Sequence, residues 1–168
     1  MKIGVLSDTH LNNTKNAQQL ANKLLAGPFA DVDLILHAGD AVLPGLEACF
    51  ADKKWYAVRG NMDHALSDLP ISRIVRVAGI KIGMIHGWGS VENIEERVIS
   101  HFSDTPLDII IFGHSHEPLC RWHGPLLLFN PGSATDRRNA PQHTVGVLTI
   151  NESIHGEIIS IDALNDSW

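Results

Sequence analysis

Short apolar runs, broken by polar turns that carry glycine, set the rhythm of this chain. Lys2–Ser7 is apolar and β-rich and predicts a buried strand. Thr14–Gly27 places Ala17, Leu20, Ala21, Leu24 and Leu25 at helical spacing, with Thr14 as the expected N-cap and Gly27 as the stop. Asp33–Asp40 and Lys54–Asp63 predict two more strands, each running into a polar turn, with a short helix over Leu43–Asp52 between them. Ser72–Gly87 reads as two strands joined by a tight turn at Ala78-Gly79. Val91, Ile94, Val98 and Phe102 share one face of a helix predicted over Val91–Phe102. The run "DIIIFGHSH" is the next strand, and "PLLLFNPGS", "HTVGVLTIN" and "HGEIISID" predict strands in the C-terminal third. A βαβαβ opening without repeat, low-complexity segment or linker predicts one domain over residues 1–168, with two packed sheets and helices outside.

The polar residues that follow the core strands form the second pattern. The first strand ends in Asp8 and His10, the second in Asp40, and the third in Asn61 with Asp63. A later strand ends in His86, and the next in His114 and His116. Open α/β sheets place ligands beyond the carboxyl ends of their strands, so these side chains are expected to converge. Carboxylate, carboxamide and imidazole together suit Mn²⁺, Fe²⁺, Zn²⁺ or Ni²⁺. Seven donors exceed the need of one ion and suit two ions that share a bridging carboxylate. No Ser-His-Asp arrangement competes, so Ser7, Ser115 and Ser133 need not be catalytic.

Composition narrows the function classes. The chain has 168 residues, enough for one domain with a sizeable core, and 44% are hydrophobic. A net charge of −6 argues against a protein built to grip nucleic-acid backbone. Cys49 and Cys120 lack metal-site spacing and are expected to be buried free thiols. No stretch has the roughly 20 apolar residues of a membrane span, and the N-terminal run is too short for a signal peptide. The expected protein is soluble and cytoplasmic, without membrane or stable nucleic-acid partner, and a homodimer is the default assembly.

The ordered set Asp-x-His, Gly-Asp, Gly-Asn-x-Asp, His-Gly and Gly-His-x-His resembles the signature of the calcineurin-like metallophosphoesterases. Length and "NPGSATDRR" (Asn130 to Arg138) resemble the small YfcE-type branch. The resemblance spans nearly the whole chain and implies a four-layer αββα sandwich of two mixed sheets. It also implies two divalent ions per chain, with Mn²⁺ expected and Fe, Zn or Ni as alternatives. One ion would be held by Asp8, His10, Asp40 and His116, the other by Asp40, Asn61, His86 and His114. Asp40 would bridge, and Asp40, Asn61 and His86 would be the catalytic members. The implied reaction is hydrolysis of small phosphoric esters, diesters foremost, by a metal-bridging hydroxide. The alternative is a non-catalytic scaffold of the same fold, like the small retromer subunit. One departure stands out: Met62 occupies the place where many larger members carry a histidine, and thioether sulfur donates no proton. His64 is the nearby candidate donor, and Asp63 is expected to support the turn.

Overall fold

The structure is a computed structural model and describes residues 1–50, 53–66 and 68–164. The element order is β1 (Lys2–Leu6), α1 (Thr14–Ala26), β2 (Leu34–His37), a 3₁₀ turn (Leu46–Phe50), β3 (Lys54–Ala57), β4 (Ser72–Val77), β5 (Ile80–Ile85), α2 (Ile94–His101), β6 (Ile109–Ile111), β7 (Leu119–His123), β8 (Leu126–Asn130), β9 (Thr144–Ile150), β10 (Ile154–Ser160) and a last 3₁₀ turn (Asp162–Leu164). Two five-stranded sheets result, ordered β10-β9-β1-β2-β3 and β4-β5-β6-β8-β7. Both are mixed: β1, β2 and β3 run parallel in one, and β5, β6 and β8 run parallel in the other.

Alternating burial builds four layers. Leu20, Leu24, Phe29 and Phe50 pack on the outer face of the first sheet with Leu6 and Ile35. Val5, Leu36, Ile82, Met84, Ile109 and Ile111 fill the space between the sheets. Ile110 and Phe112 turn the other way, against Ile94 and Val98 of α2. The period of two along β6 thus sends neighbouring isoleucines into different layers. Each fully buried side chain of this size contributes about 1.5–3 kcal/mol.

Several local expectations are corrected. Asn13, not Thr14, caps α1: its side chain accepts the Asn16 N–H at 2.9 Å. The second helix starts at Ile94, because Asn93 at φ 56° turns the chain left-handed before it, and Val91 is left 50% exposed. Leu43–Asp52 tightens to the 3₁₀ turn Leu46–Phe50, and Asp52 lies outside the described residues. Strand β7 was not expected, since Cys120 to His123 are exposed and show no apolar period. It exists because β8 offers it an antiparallel partner across the Gly124-Pro125 turn. Cys49 is buried as expected, whereas Cys120 on this edge strand is exposed. The Ala78-Gly79 hairpin turn is as anticipated, with both residues at positive φ, 49° and 83°. No helix among the described residues is long and apolar enough to cross a membrane.

Candidate metal centre

The loops after the parallel strands meet at one end of the two sheets. Strand β1 delivers Asp8 and His10, β2 delivers Asp40, β3 Asn61, β5 His86, and β6 His114 and His116. Five of these seven residues have left-handed backbones: Asp8 (φ 52°), His10 (42°), Asp40 (56°), His114 (69°) and His116 (61°). Non-glycine residues rarely adopt this region, and clusters of such strain mark functional sites.

All seven predicted residues are brought together. His116 Nε2 lies 3.3 Å from Asp8 Oδ1 and 3.2 Å from His10 Nε2. His86 Nε2 lies 3.3 Å from Asp40 Oδ2, 3.8 Å from Asp8 Oδ1 and 3.2 Å from Asn61 Oδ1. His114 Nδ1 lies 3.1 Å from the same Asn61 oxygen. Asp8, His10 and His116 form one group of ligand atoms within 4.8 Å of one another, and Asp8, Asp40 and His86 form a second. Asp8 is common to both groups. Asp40 also faces both sides, since Oδ2 stands 3.7 Å from His10 Nε2 as well as beside His86.

The outer nitrogens of three rings are anchored on backbone carbonyls. His86 Nδ1 bonds Ala38 O at 2.8 Å, His114 Nε2 bonds Gly89 O at 2.8 Å, and His116 Nδ1 bonds Asp136 O. A ring that donates outward presents a bare lone pair inward, the state a metal requires. These carbonyls were not foreseen, and no side-chain signal could have marked them. His10 and His116 also meet Nε2 to Nε2 at 3.2 Å, close enough for one ring to donate to the other. This donor set fits divalent ions of the Mn, Fe, Zn or Ni type.

The site is preloaded electrostatically. Burial pushes the Asp8 carboxyl up to about 6. Burial also acts upward on Asp40, but the hydrogen bond and charge of His86 outweigh it and hold that carboxyl below its usual range. His86 is the counterpart: burial would lower it, and Asp40 and Asp8 raise it. Burial lowers His10 and His116.

Surrounding residues hold these loops. The Asp63 carboxylate is 1% exposed and accepts N–H bonds from Asp40 (2.9 Å), Gly60 (2.8 Å) and Val42 (2.7 Å). It therefore clamps the β2 and β3 loops together, the turn-supporting role expected of it. Ser7 donates to Gly132 O and Ser133 donates to Asp8 O, while Ser115 accepts from Asn130, so all three serines are structural. A Cβ at Gly60 would stand 2.1 Å from Asp40 Oδ1, so only glycine permits this approach. His37 is fully buried, bonded to Thr9 Oγ1 at 3.1 Å and to the Gly39 N–H at 3.2 Å, and takes no place among the donors. Met62 and His64 are both exposed. Trp88 is partly exposed and lines a cleft with Asn61 and His86. Arg138 is half-exposed with Asp136 at 3.8 Å, and Arg137 bonds Ala140 O.

Fold and donor set together define a metal-site α/β sandwich whose ligands hang from parallel strand ends. Residues 1–153 match the calcineurin-like phosphoesterase superfamily domain, and the chain belongs to that superfamily. It is 34% identical over 166 residues to a probable metallophosphoesterase of Methanocaldococcus jannaschii, covering 96% of this chain and 82% of the relative. Among solved structures it resembles a novel archaeal phosphodiesterase, with TM-score 0.73, 21% identity, and 95% of this chain and 100% of that one covered. It also resembles Vps29 of Entamoeba histolytica complexed with zinc, with TM-score 0.67, 19% identity, and 95% and 99% covered. These two likenesses concern the fold.

Proposed function

We propose that this protein hydrolyses phosphoric esters, diesters foremost, with two divalent ions, Mn²⁺ expected, held by the seven strand-end donors. The observation that carries this reading is the convergence of those donors on strained loops, with three imidazoles anchored from behind. Asp8, His10, Asp40 and His116 would hold one ion, and Asp40, Asn61, His86 and His114 the other. Asp40 would be shared by the two ions, as the family resemblance implies, and its Oδ2 faces a histidine of each group. When bound, the ions would supply Lewis acidity toward the phosphoryl oxygens and toward the water nucleophile.

The chain's own residues supply placement. His86 and His116 are fixed with Nε2 inward, and His114 with Nδ1 inward, so no ring must turn before substrate binds. The buried carboxylates of Asp8 and Asp40 balance cationic charge in a site that contains no lysine donor. Asn61 offers a neutral oxygen between His86 and His114. Hydrolysis forms one P–O bond from water and breaks the P–O bond to the alcohol. Met62 cannot protonate that alcohol, so water is assigned the role. The cytoplasm is the proposed compartment and a homodimer the proposed assembly.

The scaffold reading draws only on fold similarity to Vps29, and a scaffold has no need of a complete donor set. Protein stripped with a chelator should lose phosphoesterase activity and regain it with Mn²⁺ or a similar ion. Asp40→Asn should cost at least about 10²-fold in rate. Undiminished turnover by protein shown metal-free by elemental analysis would overturn the proposal.

A further inference from the structure

The candidate metal centre has a cleft on each flank, and the two differ in chemistry. The first is lined by Asn61, His86, Ile71 and Trp88 together with the Arg59 side of the β3 loop, with a volume of about 230 Å³. Ile71 is 60% exposed and Trp88 45% exposed, an apolar lip on an otherwise polar site. A flat ring open to solvent at the wall of a cleft offers a stacking face to an aromatic group. Trp88 is also held in place. Arg97 donates to Trp88 O at 3.0 Å, to Glu92 O at 2.8 Å and to Ser90 O, which straps the whole loop to α2. The ring edge packs against His101 at 6.1 Å between centroids. The same loop anchors His114 through Gly89 O, so the platform and the donor share one support.

The second cleft opens beside His10 and has a volume of about 380 Å³. Asn12, Asn16, Thr135, Asp136 and His143 line it together with Leu11 and Ala134, and among the described residues no lysine or arginine does. His143 is tied through Nδ1 to Asp162 Oδ1 at 2.8 Å, which leaves Nε2 as the ring's remaining polar atom. The Asn16 carboxamide has no protein partner among the described residues, because the bond at this position runs from its backbone N–H to Asn13. Neutral donors and acceptors with one carboxylate suit hydroxyl groups and disfavour a second phosphate.

We infer that the substrate is an asymmetric phosphodiester whose flat aromatic arm stacks on Trp88 and whose uncharged, hydroxylated arm enters the cavity between His10 and His143. This rests on the phosphoesterase reading and adds the residues that select the two alcohols. His10 borders one cleft and Asn61 and His86 the other, so a phosphate at the donors sends one ester oxygen toward each. Asn16 and Trp88 set specificity rather than chemistry.

The test compares glyceryl p-nitrophenyl phosphate with methyl p-nitrophenyl phosphate. Wild type should show a KM about threefold to tenfold lower for the glyceryl ester, the worth of one or two neutral hydrogen bonds. Asn16→Ala should bring that ratio toward one. Trp88→Ala should raise both KM values about twofold to tenfold and preserve the ratio, because both substrates carry the aryl arm. A parallel readout needs no turnover: a non-hydrolysable phosphonate analogue of the glyceryl ester is titrated into ¹⁵N-labelled, Zn²⁺-loaded full chain. The Trp88 indole and Asn16 carboxamide signals should move in the same titration. A wild-type ratio of one, or movement of only one or neither signal, overturns the inference. Movement of both without hydrolysis by the metal-loaded protein upholds the two clefts and overturns the catalytic reading instead.

Discussion

Removing the Asp63 carboxylate should loosen the loops that carry the proposed donors before it alters any of them. Asp63 is not among those seven residues, yet its two oxygens accept three buried or part-buried backbone N–H groups on two loops. Hydrogen bonds to a charged acceptor are worth about 1.5–3 kcal/mol each, so three give a nominal ~4.5–9 kcal/mol. Loop relaxation and entry of water pull the observed cost toward the lower end, and about 4 kcal/mol is expected for Asp63→Ala. That is a large part of the 5–15 kcal/mol that holds an ordinary domain together. Asp63→Asn separates charge and shape. Its oxygen can replace Oδ2, which serves Asp40 and Gly60, while its NH₂ must face the Val42 N–H. About 2 kcal/mol should be lost, and Val42, a β-branched residue at φ 67°, loses the bond that holds it there. Urea unfolding of chelator-treated protein measures the stability, and competition with a chromogenic chelator measures metal affinity. Affinity should fall about 10–100-fold in Asp63→Asn, as for other groups that orient ligands. The exposed Asp104→Asn is the control and should stay within about 0.5 kcal/mol. If Asp63→Ala unfolds like wild type, or if Asn costs as much as Ala, the clamp argument is wrong.

Three further outcomes follow from the same geometry. Gly60→Ala should abolish tight binding of at least one ion while far-ultraviolet circular dichroism stays native, because its methyl would occupy the space of Asp40 Oδ1; metal content of the purified variant decides it. Burial lowers His37 to about 4, so the folded state keeps it neutral while the unfolded chain takes a proton below about 6.5. Its contribution is intact above pH 6.5 and should be lost as pH falls toward 4, on the order of 3 kcal/mol; the stability gap between wild type and His37→Asn, followed by urea unfolding across that window, must therefore shrink rather than grow on acidification. With Met62 and no proton donor beside the leaving oxygen, aryl diesters should outrun alkyl diesters of matched size by about 10²-fold or more; equal rates with chemistry limiting would require a donor, and His64→Ala would show whether it is that residue.

Much of this molecule was determined by local sequence. Strands such as Lys2–Leu6 and Ile109–Ile111 are apolar runs that only a buried sheet can use, and Ala78-Gly79 prescribes its own hairpin. The convergence of the seven strand-end residues was legible because each follows a strand, and a strand's carboxyl end is a position that periodicity alone can locate. Tertiary structure decided what depends on a partner. Strand β7 has no apolar period of its own and is a strand only because β8 hydrogen-bonds to it. Asn13 caps α1 through geometry that Thr14 offers equally well on paper. The carbonyls of Ala38, Gly89 and Asp136 orient three histidines, and a backbone oxygen leaves no trace in residue identity. The two clefts are set by which loops face each other, so Trp88 and His143 came to line them only when distant segments met. Hydrophobic pattern is a property of one segment, whereas a hydrogen bond or cleft belongs to two.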